Sequence, residues 1–480
     1  MKKTILSLMA FVAASSSFAG GLLTNTNQNA AFVRNFAQEG KIDLTSIYAN
    51  PAGGAFLNNG WHLSLNIQTA FQERNIDTTF PLFKYNTENP NEKHRFEGNA
   101  TAPVVPSFTV SYNKDKWSLS AHFAITGGGG KCEFDQGIGL FEAAYSGVIL
   151  QKMQTPGVLR GLLTQGLIAQ QDMDPNKASN LAATGQFKGY SLNSFMKGRS
   201  YYFGLQLGGT YKILDNLSAY LGVRGLYATC NYTGAVNPSI SYSLTTLGVV
   251  NNTQAITDYN IDLENCDQTG FGVSPIIGID WKINKHWNVS AKYEFRAKIN
   301  LKNKSSIYIT NDEVLEKAAP ILDQFADGKK VREDSPALLA LGAQYSPIDK
   351  VRLCAAYHQF FDKDSKKYGN KQKYIKNNTH EFILGAEYDA CKLITVSASW
   401  EYTRYGLKDQ FMSDLSFNLS NYMFGGGVRI NATKRLSIDL GYMCTFYNSR
   451  NVTTPTAAGP KVDHYDRKNH TVGVGANLTL

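Results

Sequence analysis

From Trp287 to Lys302 (WNVSAKYEFRAKINLK) apolar and polar residues alternate without a break. The alternation predicts a strand with Trp287, Val289, Ala291, Tyr293, Phe295, Ala297, Ile299 and Leu301 on one face. Asn288, Ser290, Lys292, Glu294, Arg296, Lys298, Asn300 and Lys302 fall on the other. At about 3.3 Å per residue the run reaches roughly 50 Å, far beyond the usual soluble strand of about 5–6 residues. A long hairpin in a soluble sandwich would share the pattern. A transmembrane β-barrel strand, with lipid outside and a polar lumen inside, also explains the length.

Comparable segments recur at 60–75, 104–113, 116–127, 198–213, 216–232, 269–284, 286–302, 335–347, 349–361, 377–389, 392–406, 419–431, 434–448 and 467–480. The expected fold is therefore all-β, a transmembrane antiparallel barrel of about fourteen strands. Short joins at Asn113-Lys114-Asp115, Leu214-Asp215-Asn216, Asn284-Lys285, Ser346 to Asp349, Asp389-Ala390-Cys391 and Asn431-Ala432-Thr433 alternate strictly with long ones. That places all short turns at one rim, the periplasmic one, and the long loops, chiefly 128–197, 233–268 and 303–334, at the other. Helix-like apolar stretches (Ile138 to Met153, Val158 to Gln171, Asn311 to Ala326) lie within the loops, either as an apolar landing site or as packed cover.

Residues 1–19 read as a secretory signal: Lys2 and Lys3, an apolar run from Ile5 to Ala14, and small residues before the cut at Ser17-Phe18-Ala19. Gly20 follows the expected cut, so no lipoprotein anchor is expected. Residues 20–59 precede the first strand; they are too few for the plug domain of a TonB-dependent receptor, yet enough to stop up a lumen. The barrel is expected over 60–480, ending on the alternating strand HTVGVGANLTL.

Composition sharpens this picture. Tyr and Phe number 26 each and Gly 42, which suits aromatic girdles and strand bends, and no apolar run after the signal approaches the length of a membrane helix. The net charge of +9 has no clustered stripe or nucleic-acid motif behind it, so attraction to anionic solutes or to lipopolysaccharide phosphates is the expected consequence. Of six cysteines, Cys230 and Cys266 flank one loop and are spaced for a disulfide at its base, whereas Cys354 and Cys444 read as small hydrophobes. There is no G-x-S-x-G elbow, and the cysteine spacing matches no metal motif; no enzyme activity, metal or cofactor is expected. Luminal Lys292, Arg296, Lys298 and Arg224 are the candidates to meet a ligand carboxylate, with a solvated charge ladder as the alternative.

Asn50-Pro51-Ala52, just before the first strand, resembles the motif in the N-terminal hatch of the FadL/TodX family of outer-membrane transporters. Gly270-Phe271-Gly272, the run YEFRAKINLKNKSS, and SPALLALGAQYSPIDKVRLCAAY from Ser335 to Tyr357 are similar in order and spacing to that family's sixth to ninth strands. The resemblance spans nearly all of the mature chain. It implies a fourteen-stranded monomer whose hatch, carrying Asn50, Pro51 and Ala52, gates the passage of long-chain fatty acids or other hydrophobic compounds. Capture by extracellular loops and exit sideways through a kinked third strand are also implied. Here the expected third strand, Trp117 to Thr126, has glycine only after it (Gly127 to Gly130), and Pro275 marks another place where pairing could fail or bulge. The family's basic residue late in the fifth strand falls near Thr229, which leaves a neutral hydrophobe open as ligand. Hemin uptake and a general porin are the alternative functions; the eight histidines show no spacing that would pair two as axial ligands.

Overall fold

The computed structural model describes residues 22–154, 174–175, 184–246, 249–256, 259–311 and 322–480. The signal segment, the stretch Val158 to Gln171 and most of Asn311 to Ala326 lie outside the described residues. Fourteen antiparallel strands form the wall: β1 (Gly60–Thr79), β2 (Lys93–Lys114), β3 (Trp117–Phe134), β4 (Thr184–Leu214), β5 (Leu217–Thr246), β6 (Ile261–Lys282) and β7 (Trp287–Glu294, resuming as Asn300–Ile309). They continue with β8 (Leu338–Ile348), β9 (Val351–Phe360), β10 (Ile375–Asp389), β11 (Ile394–Leu407), β12 (Asn421–Ile430), β13 (Leu436–Tyr447, resuming as Arg450–Thr456) and β14 (Gly459–Thr479). β1 pairs with β14 from His62↔Thr479 to Thr79↔Val462, which closes the sheet and leaves no free edge. The six short joins fall close to where the alternation placed them; two are displaced, to 115–116 and 349–350, because β2 runs on to Lys114 and β8 to Ile348.

The two faces of the wall divide as the sequence predicts. In β1, Leu65, Ile67 and Phe71 are exposed on the outside while Ser64, Asn66, Gln68 and Gln72 are buried inside. Aromatic rings pair around the short-turn rim: Trp61 with Tyr112 at 4.9 Å, Trp117 with Tyr211 at 4.5 Å, Trp287 with Tyr345 at 4.5 Å. From Trp61 to Phe71 the apolar face covers about 33 Å of strand, or about 25 Å of height at a tilt of about 40°, the hydrocarbon band of an outer-membrane barrel.

Three expectations need correction. The strand at 287–302 is not continuous, because ladder pairing of β6 with β7 runs only from Lys282↔Asn288 to Ile276↔Glu294 and resumes at Thr269↔Lys302. Between them Pro275, which has no N–H to give, ends the ladder, and residues 295–299 shift inward onto Gly270 and Gly272, where a Cβ would collide with Asn300 and Ile299. The bulge exchanges the faces: Ala297, Ile299 and Leu301 become fully buried inside, and Lys298 and Lys302 turn outward. Second, 233–268 is mostly sheet rather than loop. β5 runs to Thr246 and a short strand, Val249–Ile256, folds back on it. Once a strand leaves lipid its outer face need not be apolar, so the alternation fades while the ladder continues. Third, Cys230 and Cys266 are both free. Cys266 lies opposite Tyr232 and Cys230 opposite Gln268, so the two cysteines are diagonal neighbours, about 7–8 Å apart where a disulfide needs less than about 7 Å.

A helix over 139–154 forms within the 128–197 region, as its apolar stretch implies. Ile138, Leu140, Tyr145, Val148 and Ile149 turn into the upper core, and the Tyr145 hydroxyl donates to the Tyr259 carbonyl at 2.6 Å. This helix is packed cover.

Candidate functional site

Residues 22–57 lie against the inner face of the wall and are almost entirely buried. Their one α-helix, Ala30–Arg34, is started by Asn29, whose side chain accepts from the Phe32 N–H at 2.8 Å. Phe32, Val33 and Phe36 pack with Cys354, Ile383, Met423 and Met443. Buried charge anchors the same stretch. Arg34 pairs with Glu387 at 3.0 Å and Asp439 at 3.1 Å, and Lys41 with Glu387 at 2.8 Å. His358 stands between Glu39 and Glu381, 2.7 Å from each.

Asn50 heads the turn Pro51–Phe56. Its side-chain oxygen accepts from Gly53 N–H at 3.1 Å; its amide donates to the Lys41 carbonyl at 3.0 Å and to buried Asp280 on β6. Pro51 sits where a helical turn has no use for an N–H. The Pro51 carbonyl accepts from Thr210 at 3.0 Å, the Ala52 carbonyl accepts from Ser218 at 2.7 Å, and the Ala52 methyl packs on Tyr220 and Ile276. The tripeptide is thus seated on β4, β5 and β6 at once.

Of the four basic residues predicted to face the lumen, two do. Arg224 and Lys292 are buried against Tyr48, 4.4 Å and 4.7 Å from its ring, and Lys292 donates to the Tyr48 carbonyl at 2.9 Å. Arg224 is further held by Glu294 and Gln206. Both cations are committed to the N-terminal segment and the wall. Arg296 and Lys298 lie beyond the bulge: Arg296, half-buried, reaches the buried Asp334 and the Asp364 carbonyl, and Lys298 is exposed.

Above the segment is an apolar region that includes Ile76, Phe96, Leu226, Ile299, Leu301, Phe417 and Tyr465. Two arginines enter it. Arg74 on β1 and Arg467 on β14 are direct partners across the closing seam, 0% and 2% exposed. Like charges opposite one another on a ladder repel. The Arg74 guanidinium lies 4.5 Å from the Phe417 ring, has the Cys132 thiol as polar neighbour, and finds no oxygen acceptor for any of its three nitrogens among the described residues. Arg467 stacks 4.8 Å from Tyr447. Neither arginine was singled out from sequence. Only the register of the closing pair brings them together, and that register depends on where both strands begin.

The wall is also broken beside this region. β2 pairs with β3 from Lys114↔Trp117 to Phe108↔Phe123 and again from Thr101↔Lys131, with no ladder between. Pro103 and Pro106 remove donors on one side; Gly128 and Gly130 adopt positive φ, +85° and +71°, on the other. The expectation that no glycine lies inside the third strand was wrong, since β3 continues through Gly127–Gly130 to Phe134. Part of the gap is bridged by the N-terminal segment: Asn25 N–H donates to the Thr126 carbonyl at 2.9 Å and Gly128 N–H to the Leu23 carbonyl at 3.2 Å.

No family model matches the chain, and no curated protein matches it in sequence. Solved structures do. A FadL homologue of Pseudomonas aeruginosa aligns with a TM-score of 0.62 at 15% identity, covering 96% of this chain and 100% of the homologue. The toluene transporter TodX of Pseudomonas putida aligns with a TM-score of 0.51 at 11% identity, covering 98% and 100%. Together with the closed fourteen-stranded wall, these alignments show that the chain has the FadL-type barrel fold that its sequence resembled.

Proposed function

We propose that this chain is a monomeric outer-membrane transporter, not an enzyme, that admits long-chain fatty acids or similar hydrophobic compounds by facilitated diffusion. The observation that carries the reading is the pair Arg74 and Arg467, buried in an apolar region with no oxygen acceptor for Arg74. Such a place suits a molecule with one anionic end and a long apolar body, because a charge-assisted bond there is about twice as strong as a neutral one. Residues 20–59 act as the hatch, with Asn50, Pro51 and Ala52 as its seat. Arg224 and Lys292 act through Tyr48 as latch residues rather than as ligand contacts. The ligand leaves between β2 and β3 when Leu23 and Asn25 let go, and so passes into the bilayer. The alternative way out, past the short turns, leads through a cavity lined by Asp43, His62, Arg429, Arg435 and Asn477, poor surroundings for an alkyl chain.

The test is binding of a fluorescent long-chain fatty acid to the folded, detergent-solubilised barrel, with hemin as competitor and Arg74→Gln alongside. Saturable binding that hemin does not displace and that Arg74→Gln weakens supports the proposal. A hemin Soret shift without fatty-acid binding overturns it in favour of a haem receptor.

A further inference from the structure

The exchange of faces at the β7 bulge leaves an outward surface that is basic where the strand below it is apolar. Lys298, Lys302 and Lys330 are all exposed there. Lys302 is the direct antiparallel partner of Lys330, and its other neighbour, Thr269, is neutral. Two ammonium groups across one ladder position repel. The nearby carboxylates have partners of their own: Asp334 is buried between Arg296 and Arg332, Asp267 accepts from Asn231 at 2.8 Å and Asn265 at 2.9 Å, and Asp327 accepts from the Ser305 N–H at 3.0 Å. No ion pair reaches Lys298, Lys302 or Lys330 among the described residues. Immediately below, Phe271 and Phe295 are 62% and 43% exposed and mark the top of the apolar belt.

The sequence explains the arrangement. Before the bulge, polar residues of β7 face inward; one shifted step turns Lys298, Asn300, Lys302 and Lys304 outward and sends Ala297, Ile299 and Leu301 into the core. The cost of placing lysines opposite one another on a wall strand is relieved by an anion at the same height.

We propose that this patch binds the phosphate groups of lipid A, the glycolipid of the outer leaflet, with the acyl chains lying on Phe271 and Phe295. The inference rests on the outer-membrane reading above. The adjoining aromatic belt favours a lipid phosphate over a free one, since an acyl chain gains from covering exposed rings and inorganic phosphate has nothing to place there.

The experiment compares bisphosphorylated lipid A with its dephosphorylated form, each titrated onto the folded barrel in detergent and read by native mass spectrometry. The variants are Lys298→Ser/Lys302→Ser/Lys330→Ser and, at the short-turn rim, Lys114→Ser/Lys116→Ser/Lys434→Ser. Preference for the phosphorylated form, weakened roughly a hundredfold by the first triple variant and unchanged by the second, is expected from about fivefold per lysine. Equal binding of both forms, or equal loss in both variants, overturns the proposal. Full displacement by excess inorganic phosphate also overturns it, in favour of a soluble-anion site. Fluorescent fatty-acid binding, measured on the same samples, separates the two readings: its loss in the wild type defeats the transport function and leaves the lipid A result standing.

Discussion

Arg34 holds the N-terminal segment to the far wall, and replacing it by methionine should release that segment without opening the barrel. Arg34 is fully buried, with Glu387 at 3.0 Å and Asp439 at 3.1 Å. Removing one partner of a buried ion pair costs about 3–5 kcal/mol. Here neither carboxylate is left alone: Glu387 keeps Lys41 at 2.8 Å and Arg352 at 3.1 Å, and Asp439 keeps Arg429 at 2.8 Å. The lower end applies, about 3 kcal/mol, which at about 1.4 kcal/mol per tenfold raises the unseated population by roughly 150-fold. Native-state hydrogen exchange reads this directly. The Val33 and Asn35 amides, which donate to the Asn29 and Ala31 carbonyls at 3.3 and 3.0 Å, should lose about two orders of magnitude of protection. The wall amides of β13 and β14 should not change. Unchanged protection at Val33 and Asn35 would refute the anchoring argument. Equal loss throughout the wall would show instead that Arg34 supports the barrel itself.

Other consequences are as readily measured. Asn50→Asp sets a second carboxylate against Asp280, which is already fully buried, so single-channel recordings should show a larger or longer-lived conductance than wild type; identical traces would remove Asn50 from the gate. Arg74→Gln should weaken fatty-acid binding by roughly tenfold to a hundredfold, the worth of a charged hydrogen bond of about 1.5–3 kcal/mol, while the matching fatty alcohol binds as before. Burial pushes the Glu142 carboxyl up to about 8, against the opposing pull of Asn86 and Lys461. The folded state therefore keeps a proton that the free side chain releases near 4.5, and this contribution to docking of the 139–154 helix is full below that pH and is lost as pH rises to about 8. Limited proteolysis of the helix should accelerate from pH 5 to pH 8 in wild type and stay flat in Glu142→Gln; parallel profiles would reject the assignment.

Much of the wall could be read from sequence because lipid imposes a period of two on every strand it touches. The six short turns and the closing strand that ends at Thr479 follow from that constraint. Above the lipid the constraint lapses, so 233–268 reads as loop although it is mostly sheet: the alternation fades there while Asn237 and Pro238 of β5 still pair with Asn193 and Leu192 of β4. Alternation also says nothing of a slipped register. Arg296 and Lys298 stand in phase with Lys292, yet a single inward bulge at 295–299 takes Arg296 to Asp334 and turns Lys298 outward. The paired Arg74 and Arg467 lie nearly four hundred positions apart in the chain and meet only across the seam.

The hydrogen bonds that tie Leu23 and Asn25 to β3 bear on how a faulty molecule would behave. Apart from the gap between β2 and β3, the wall pairs strand to strand without residues 22–57, so a chain that fails to seat them should still close its barrel. On the proposed function such a molecule would be a leak rather than an aggregate. It would escape quality control that recognises unfolded barrels and make its host sensitive to antibiotics normally kept out.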